Sequence, residues 1–388
     1  MKRLSILGST GSVGVNALGI ARSFPDRFKV VALAAGRNTD LLAEQVRCFK
    51  PEVVSVRDGD AAEALAGLLG GTRVEILTGT EGATRVATWG DPDLLLSAFV
   101  GAAGLVPTLA AIRAGIDVAL ANKEVLVMAG ELVMTEARRR NLRLLPVDSE
   151  HAAIHQCIAG QRREDVRRVY LTASGGPFRT TPREKLAAMK PADALKHPNW
   201  KMGRKVTIDS ASLMNKGLEM IEARWLFDLD PAVIDVVIHP QSIVHSLVEF
   251  IDGSVIAQLG VPDMRGPIGY ALGLPERLPL SMERLDLARV GTLTFEPPDH
   301  EKFPNLGLAV RALEDGGTMP AVLNAANEAA VGAFLEGRIG FTGITEVISN
   351  TMAAHAPRPL KELEDALGAD AWARNHAMKI IGALPIPD

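Results

Sequence analysis

A chain of 388 residues with 47% hydrophobic side chains is long enough for two or three domains, each with its own core. Its formal net charge is −4, with 42 Lys and Arg scattered among 46 Asp and Glu, which leaves no broad basic face and excludes nucleic acid and anionic membrane as expected partners. Cys48 and Cys157 stand far apart and outside any zinc spacing, and the apolar run after Met1-Lys2-Arg3 breaks at Gly8, too early for a secretory signal. A reducing, cytoplasmic location is therefore expected.

From Lys2 to Val147, short apolar runs alternate with amphipathic stretches. Strands are expected at Leu4–Leu7, Lys29–Ala34, Val53–Val56, Val74–Leu77, Leu94–Val100, Val118–Ala121 and Leu142–Val147, with helices between them, among them Val13–Ser23, Leu41–Phe49 and Leu126–Arg140. Such alternation predicts an α/β fold, a doubly wound, mostly parallel, Rossmann-like sheet. The stretch Leu94–Ile112 carries no charge, but Gly101, Gly104 and Pro107 divide it into a buried strand, a turn and a helix start rather than a membrane span.

After Asp148 the rhythm changes. A strand is expected at Val166–Ala173, a long loop from Gly175 to Arg204, a helix from about Ser212 to Phe227, and strands at Val233–His239, Ile243–Phe250 and Val255–Leu259 with a hairpin turn at Asp252-Gly253. Prolines and polar residues between Leu274 and Pro304 suit a linker, and Ala-rich helical patterns follow from Leu306. The expected division is a nucleotide-binding domain at 1–147, a central α+β domain at 148–274 with a mobile loop near 197–204, a linker at 275–304 and a helical bundle at 305–388.

Gly8-Ser9-Thr10-Gly11-Ser12-Val13-Gly14 follows a strand and opens a helix, where backbone N–H groups and the positive helix end can hold a pyrophosphate. Its spacing, GxxGxxG, is looser than the usual GxGxxG, and a plain packing turn is the alternative. At the end of the second strand, where an acid would mark NAD, stand Gly36-Arg37-Asn38; the arginine favours a 2′-phosphate and hence NADP.

Asp148 and Glu150 are two apart at the expected end of a strand, so their side chains should point to one side. Asn215, Lys216 and Glu219 should share a helix face. All-oxygen ligation suits Mg²⁺ or Mn²⁺ better than zinc, and ordinary solvated acids are the plain alternative. A zinc hydrolase built on His151 and His155, spaced i, i+4, competes but lacks an HExxH glutamate; His239 and His245 read as strand-end or interface histidines. The segment His197–Gly203, with Trp200 and Met202 between Pro198 and Gly203, suits a lid over a ligand or a surface loop tucking its Trp against the body. Ala121–Glu124 ends a strand at the ligand-binding edge of such a sheet, and Ser174-Gly175-Gly176 offers hydroxyl and amide donors to a phosphate.

Together GSTGSVG at the start, LANKE at 120–124, PVDSEH at 146–151, TASGGPF at 172–178, HPNWKMGRKVTIDSASLMNKGLEMIEARWLF at 197–227, HPQSIVHS at 239–246 and LGVPDMR at 259–265 closely resemble the 1-deoxy-D-xylulose 5-phosphate reductoisomerase family. The resemblance covers essentially the whole chain. It implies an NADPH-binding domain, a catalytic and dimerising domain with a mobile loop, a C-terminal helical domain and a homodimer. It also implies that Thr10, Gly11, Ser12, Val13, Gly36, Arg37, Asn38, Asn122, Glu124 and Gly203 bind NADPH, that Asp148, Glu150 and Glu219 hold Mg²⁺ or Mn²⁺, and that Lys123, Ser149, Glu150, Ser174, His197, Trp200, Met202, Ser210, Asn215, Lys216 and Glu219 meet a sugar phosphate. Lys123, Asp148, Glu150 and Glu219 are the implied catalytic set. Val13 stands where Ile is expected, Arg37 where Lys is frequent, and Lys201 where a small polar residue is common. The implied reaction is rearrangement and NADPH-dependent reduction of 1-deoxy-D-xylulose 5-phosphate to 2-C-methyl-D-erythritol 4-phosphate. Other classes consistent with the first domain are an NADP-dependent dehydrogenase of another small aldehyde or hydroxy substrate, which needs no acid triad, and a nucleotide-binding regulator.

Overall fold

The computed structural model describes residues 1–200 and 202–385, so Lys201 lies outside the described residues. The chain forms two compact units. The first comprises Met1–Val125, Val133–Ala152 and Asp263–Met282; the second comprises Leu126–Leu132, Ala153–Pro262 and the chain from Glu283 onward.

In the first unit, β1 (Lys2–Leu7), β2 (Phe28–Ala34), β3 (Val53–Val56), β4 (Glu75–Thr78), β5 (Leu94–Ser97), β6 (Asp117–Leu120) and β7 (Leu144–Pro146) form one sheet in the order β4-β3-β2-β1-β5-β6-β7. Every pairing is parallel. The chain steps outward from β1 to β4 and then crosses to the other side of β1 for β5, which makes the gap between β1 and β5 the switch point of a doubly wound sheet. Leu4, Ile6, Leu33, Val54 and Leu96 fill the core because strands covered on both faces tolerate apolar residues throughout. The uncharged stretch resolves into β5, a 3₁₀ turn at Gly101–Gly104 and the helix Leu105–Arg113, as expected. Among the described residues no helix is long and apolar enough to cross a membrane.

One segment lies elsewhere than the sequence suggests. The helix Arg265–Gly273 belongs to the first unit, where Ile268, Ala271 and Leu272 join its core and the Lys2 ammonium donates to the Leu272 carbonyl at 2.7 Å. Leu278 and Leu280, read as linker, pack on Gly273 and Gly269, where a Cβ would come within 3.0 and 2.6 Å of them. Periodicity identifies the helix but carries no information about which sheet it covers.

The second unit is built on a mixed sheet of β8 (Val166–Ala173), β9 (Ile234–Ile238), β10 (Val244–Phe250) and β11 (Val255–Leu259), in the order β11-β10-β8-β9. β8 and β9 are parallel, and β10 runs antiparallel to β8 and to β11, the latter through the expected Asp252-Gly253 hairpin. The expected helix over Ser212–Phe227 is instead two helices, Arg204–Ala211 and Met214–Phe227. Leu213 between them adopts φ +59°, a left-handed conformation that ends one helix before the next begins. The expected loop also contains short helical turns at Arg183–Ala188 and Pro191–Ala194. Among the described residues the Ala-rich tail forms the helices Asn305–Asp315, Met319–Leu335, Phe341–Ala353 and Leu363–Ala383, in which buried alanines such as Ala325, Ala330, Ala369 and Ala373 permit close approach of backbones.

Candidate active site

In the first unit the Gly8–Gly14 turn lies at the carboxyl end of β1, beside the switch point. Gly8 has φ +83°, and a Cβ there would fall 2.2 Å from the Ala98 carbonyl oxygen; one on Gly14 would fall 2.3 Å from the Gly8 carbonyl oxygen. These two glycines let three backbone segments touch. Gly11 and Ser12 are exposed, and the helix Ser12–Ser23 begins at Gly11 with no side-chain cap, leaving its first amides available to an anion.

Gly36, Arg37 and Asn38 are exposed beyond the end of β2, and a Cβ on Gly36 would meet open space. Asn38 caps the helix Thr39–Phe49 by accepting from the Leu41 N–H at 3.3 Å. Arg37 donates to Asp58 Oδ2 through Nε at 3.2 Å and Nη2 at 2.9 Å, and this hydrogen bond holds the Asp58 carboxyl below its usual range. Asp58 thus steadies a guanidinium that is still two-thirds exposed. Arg37→Glu is expected to weaken NADPH binding by roughly tenfold or more, the scale of a charged hydrogen bond, with NADH affinity changed far less. Equal losses for both cofactors in a fluorescence titration would contradict the assignment.

The ends of β6 and β7 bring together Asn122, Lys123, Glu124, Asp148, Ser149 and Glu150. The Lys123 ammonium pairs with Asp148 Oδ2 at 2.5 Å, with both side chains less than 15% exposed (9% and 14%). Asp148 and Glu150 are not strand neighbours. β7 stops at Pro146, the Asp148 carbonyl accepts from the Ala152 N–H at 2.8 Å, and Glu150 sits in the first turn of the helix Ser149–Ile158. A helix start rather than strand alternation sets their spacing. Ser149 Oγ donates to Glu150 Oε2 at 2.5 Å. Asn122 and Glu124 are buried; the Asn122 amide donates to Glu124 Oε2 at 2.6 Å and to the Gly101 carbonyl at 3.1 Å, so the pair braces the turn after β5.

In the second unit, Asn215, Lys216 and Glu219 share a face of the helix Met214–Phe227, as the spacing predicts. Asn215 Nδ2 donates to Glu219 Oε1 at 2.5 Å and the Lys216 ammonium to Glu219 Oε2, with Lys216 and Glu219 almost wholly buried. Gly176, at φ +68°, presses on the preceding helix: a Cβ there would lie 2.6 Å from the Ser210 carbonyl oxygen. The Ser174–Gly176 turn therefore stands against Ser210. His197 Nε2 lies 3.0 Å from Ser174 Oγ, and burial lowers the His197 pKa to about 4. Met202 and Gly203 lead into the helix Arg204–Ala211, of which Gly203 is the N-cap. The Trp200 ring lies 6.2 Å from that of His245, so this loop rests its Trp against the body of its own unit.

Three features of the second unit escape the sequence reading. His245 is buried on β10 beside Trp200, and desolvation lowers its pKa to about 4, with Lys216 adding to the effect. Asn199 donates its amide to the Pro240 carbonyl at 2.6 Å and to Ser242 Oγ at 2.9 Å, tethering the loop. Asp209, 1% exposed, pairs with Lys205 at 2.9 Å and accepts from Asn327 at 2.8 Å, fixing the helix that carries Ser210. Strand alternation signals burial of His245, whereas the Asp209–Asn327 bond links residues far apart in sequence and leaves no local trace. His239 is structural: Nδ1 lies 2.8 Å from the Thr294 carbonyl and Nε2 accepts from the Ile243 N–H at 3.2 Å.

Comparison with known proteins gives consistent matches. Residues 4–130 match a family model described as 1-deoxy-D-xylulose 5-phosphate reductoisomerase, residues 144–227 match that of its C-terminal domain, and residues 259–376 match a DXP reductoisomerase C-terminal domain. The 1-deoxy-D-xylulose 5-phosphate reductoisomerase of Chlorobaculum tepidum is 58% identical over 382 residues, 98% of this chain and 100% of that one. A solved structure of the Zymomonas mobilis enzyme in complex with NADPH superposes with TM-score 0.91 at 43% identity, covering 99% of this chain and 100% of that one. A DOX-P reductoisomerase in complex with NADPH, fosmidomycin and magnesium gives TM-score 0.93 at 41% identity over the full length of both chains.

Proposed function

Because the chain belongs to the 1-deoxy-D-xylulose 5-phosphate reductoisomerase family, we propose that Thr10–Val13, Gly36–Asn38, Asn122, Glu124 and Gly203 serve NADPH, and that Asp148, Glu150 and Glu219 hold one divalent metal. The chain is an NADPH-dependent oxidoreductase that, with a divalent metal, converts 1-deoxy-D-xylulose 5-phosphate to 2-C-methyl-D-erythritol 4-phosphate. One observation supports the site assignment most: the glycine turn ends β1, while Lys123 and Asp148 follow β6 and β7, on the same edge of the same sheet. Those strands stand two and three places from β1, roughly 10 and 14 Å, a separation that suits a dinucleotide laid along the edge with its reactive end near the carboxylates.

The residues fit the groups assigned to them. Carboxylate oxygens are the ligands Mg²⁺ and Mn²⁺ favour, and each set of acids already faces an ammonium, Lys123 or Lys216. When bound, the metal supplies Lewis acidity toward the substrate's carbonyl and hydroxyl oxygens, and NADPH supplies the hydride. Lys123 adds a second positive charge where negative charge develops, and Glu150, held by the Ser149 hydroxyl, moves protons. Ser174, Ser210, Asn215 and Lys216 bind the phosphate, while His197, Trp200 and Met202 close the loop side and exclude water. The residues act in a homodimer in the cytoplasm. Exposed Val255 and Ile256 on the edge strand β11, beside exposed Ile251, give a second copy an apolar edge to cover, and the unpaired cysteines suit a reducing compartment.

Remote phosphate contacts are expected to support turnover as well as affinity. A substrate lacking the phosphate should lose roughly 100-fold or more in kcat; an unchanged kcat with only a raised KM would refute this use of the phosphate site. Another NADP-dependent dehydrogenase is not favoured, since the relatives 58% and 41% identical over essentially the full chain are reductoisomerases.

A further inference from the structure

We propose that His197 is a positioning residue that acts through Ser174: held as the Nε2–H tautomer by the loop that follows it, it turns the Ser174 hydroxyl into an obligate donor for an acceptor-only oxyanion. The inference rests on the reading that Ser174 faces the substrate phosphate. It replaces direct contact by His197 with control of a neighbour's hydrogen-bond polarity.

The hydrogen bonds leave one consistent arrangement. His197 Nδ1 receives two backbone donors, the Trp200 N–H at 2.9 Å and the Asn199 N–H at 3.2 Å, so this nitrogen carries a lone pair and no proton. The neutral ring must then carry its proton on Nε2, which lies 3.0 Å from Ser174 Oγ and donates to it. Burial keeps the imidazole neutral, with its pKa lowered to about 4. Ser174 Oγ also accepts from the Gly176 N–H at 3.1 Å. A hydroxyl oxygen has two lone pairs, and both are now used. The Ser174 proton is the only hydrogen-bonding capacity left, and it can only be given away. A phosphate oxygen without a proton satisfies it; a donor-only group such as an ammonium or an amide N–H at the same place would leave the serine proton unpaired and cost affinity.

The arrangement depends on the loop. Asn199 supplies one of the two donors to Nδ1, and its side chain is anchored to Pro240 and Ser242. Ser242 has φ +53°, unusual for a non-glycine residue, and the surrounding His239 hydrogen bonds hold that turn in place. Loop position and serine polarity are thereby coupled.

Two measurements on the full-length holoenzyme test this. In ¹⁵N-histidine-labelled protein, with His197→Asn used to assign the signal, His197 should show a protonated Nε2 and an unprotonated Nδ1. A Nδ1-protonated or doubly protonated ring overturns the proposal. In a double-mutant cycle, Ser174→Ala and His197→Asn should each raise KM for 1-deoxy-D-xylulose 5-phosphate roughly tenfold or more, and the double variant should be no worse than the larger single effect. Losses that multiply overturn the relay alone. An unchanged KM in Ser174→Ala contradicts the phosphate assignment itself, whatever the spectrum shows, so the two failures are distinguishable.

Discussion

Glu219→Gln is expected to cut the rate of NADPH oxidation with 1-deoxy-D-xylulose 5-phosphate by more than 100-fold while NADPH affinity changes by no more than about twofold. Partners outside a metal's ligand set already cost roughly 10–100-fold when removed, so a direct ligand should exceed that. The substitution has a second consequence. Glu219 is 1% exposed and is a counter-charge of the buried Lys216 ammonium. A neutral amide can accept the hydrogen bond but cannot balance the charge, and removing one partner of a buried pair costs roughly 3–5 kcal/mol. The melting temperature should therefore fall with the activity. Adding Lys216→Met should restore the melting temperature, which identifies the uncompensated ammonium as the cause of the stability loss; turnover stays low in the double variant because Lys216 itself binds the phosphate. Turnover within a few-fold of the unsubstituted enzyme in Glu219→Gln would remove this residue from the metal site.

Gly8→Ala is expected to destabilise the first unit by about 3 kcal/mol, and Gly11→Ala by less than about 1 kcal/mol. The two lie three residues apart in one motif. A Cβ on Gly8 meets the Ala98 carbonyl oxygen at 2.2 Å and must be carried at φ +83°, both involving backbone that cannot rotate away. A Cβ on Gly11 meets only the Gly8 carbonyl oxygen, at 3.3 Å, from an ordinary backbone conformation. For a unit of this size the first change corresponds to a loss of roughly 6–12 °C in melting temperature. NADPH affinity should fall in Gly8→Ala, because the turn that presents Gly11 and Ser12 shifts. Comparable melting temperatures for the two variants would mean that the glycines serve the cofactor alone and not the packing.

The first unit was largely legible because its signals are local. Apolar runs spaced by amphipathic helices specify a parallel sheet, and the GxxGxxG turn and Arg37 sit where a dinucleotide sheet places them. The face shared by Asn215, Lys216 and Glu219 followed from helical spacing alone. What could not be read depends on backbone conformation or on distant partners. The left-handed Leu213 splits a helix that periodicity presents as continuous, and no residue-type preference marks it. Asp148 and Glu150 read as the end of a strand because an apolar run precedes them, yet β7 stops at Pro146 and a helix start follows. The return of Arg265–Gly273 to the first unit is a tertiary choice made by burial of Ile268, Ala271 and Leu272. The acceptor role of His197 Nδ1 exists only once the loop has folded around it.

The most direct test of the account is NADPH oxidation, followed by absorbance, with 1-deoxy-D-xylulose 5-phosphate in the presence of Mg²⁺ or Mn²⁺ and again with excess chelator. Oxidation that requires the metal, and that Asp148→Asn abolishes while NADPH still binds, is the predicted result. Oxidation that persists undiminished in chelator, or in Asp148→Asn, would contradict the assignment of the carboxylates to a metal.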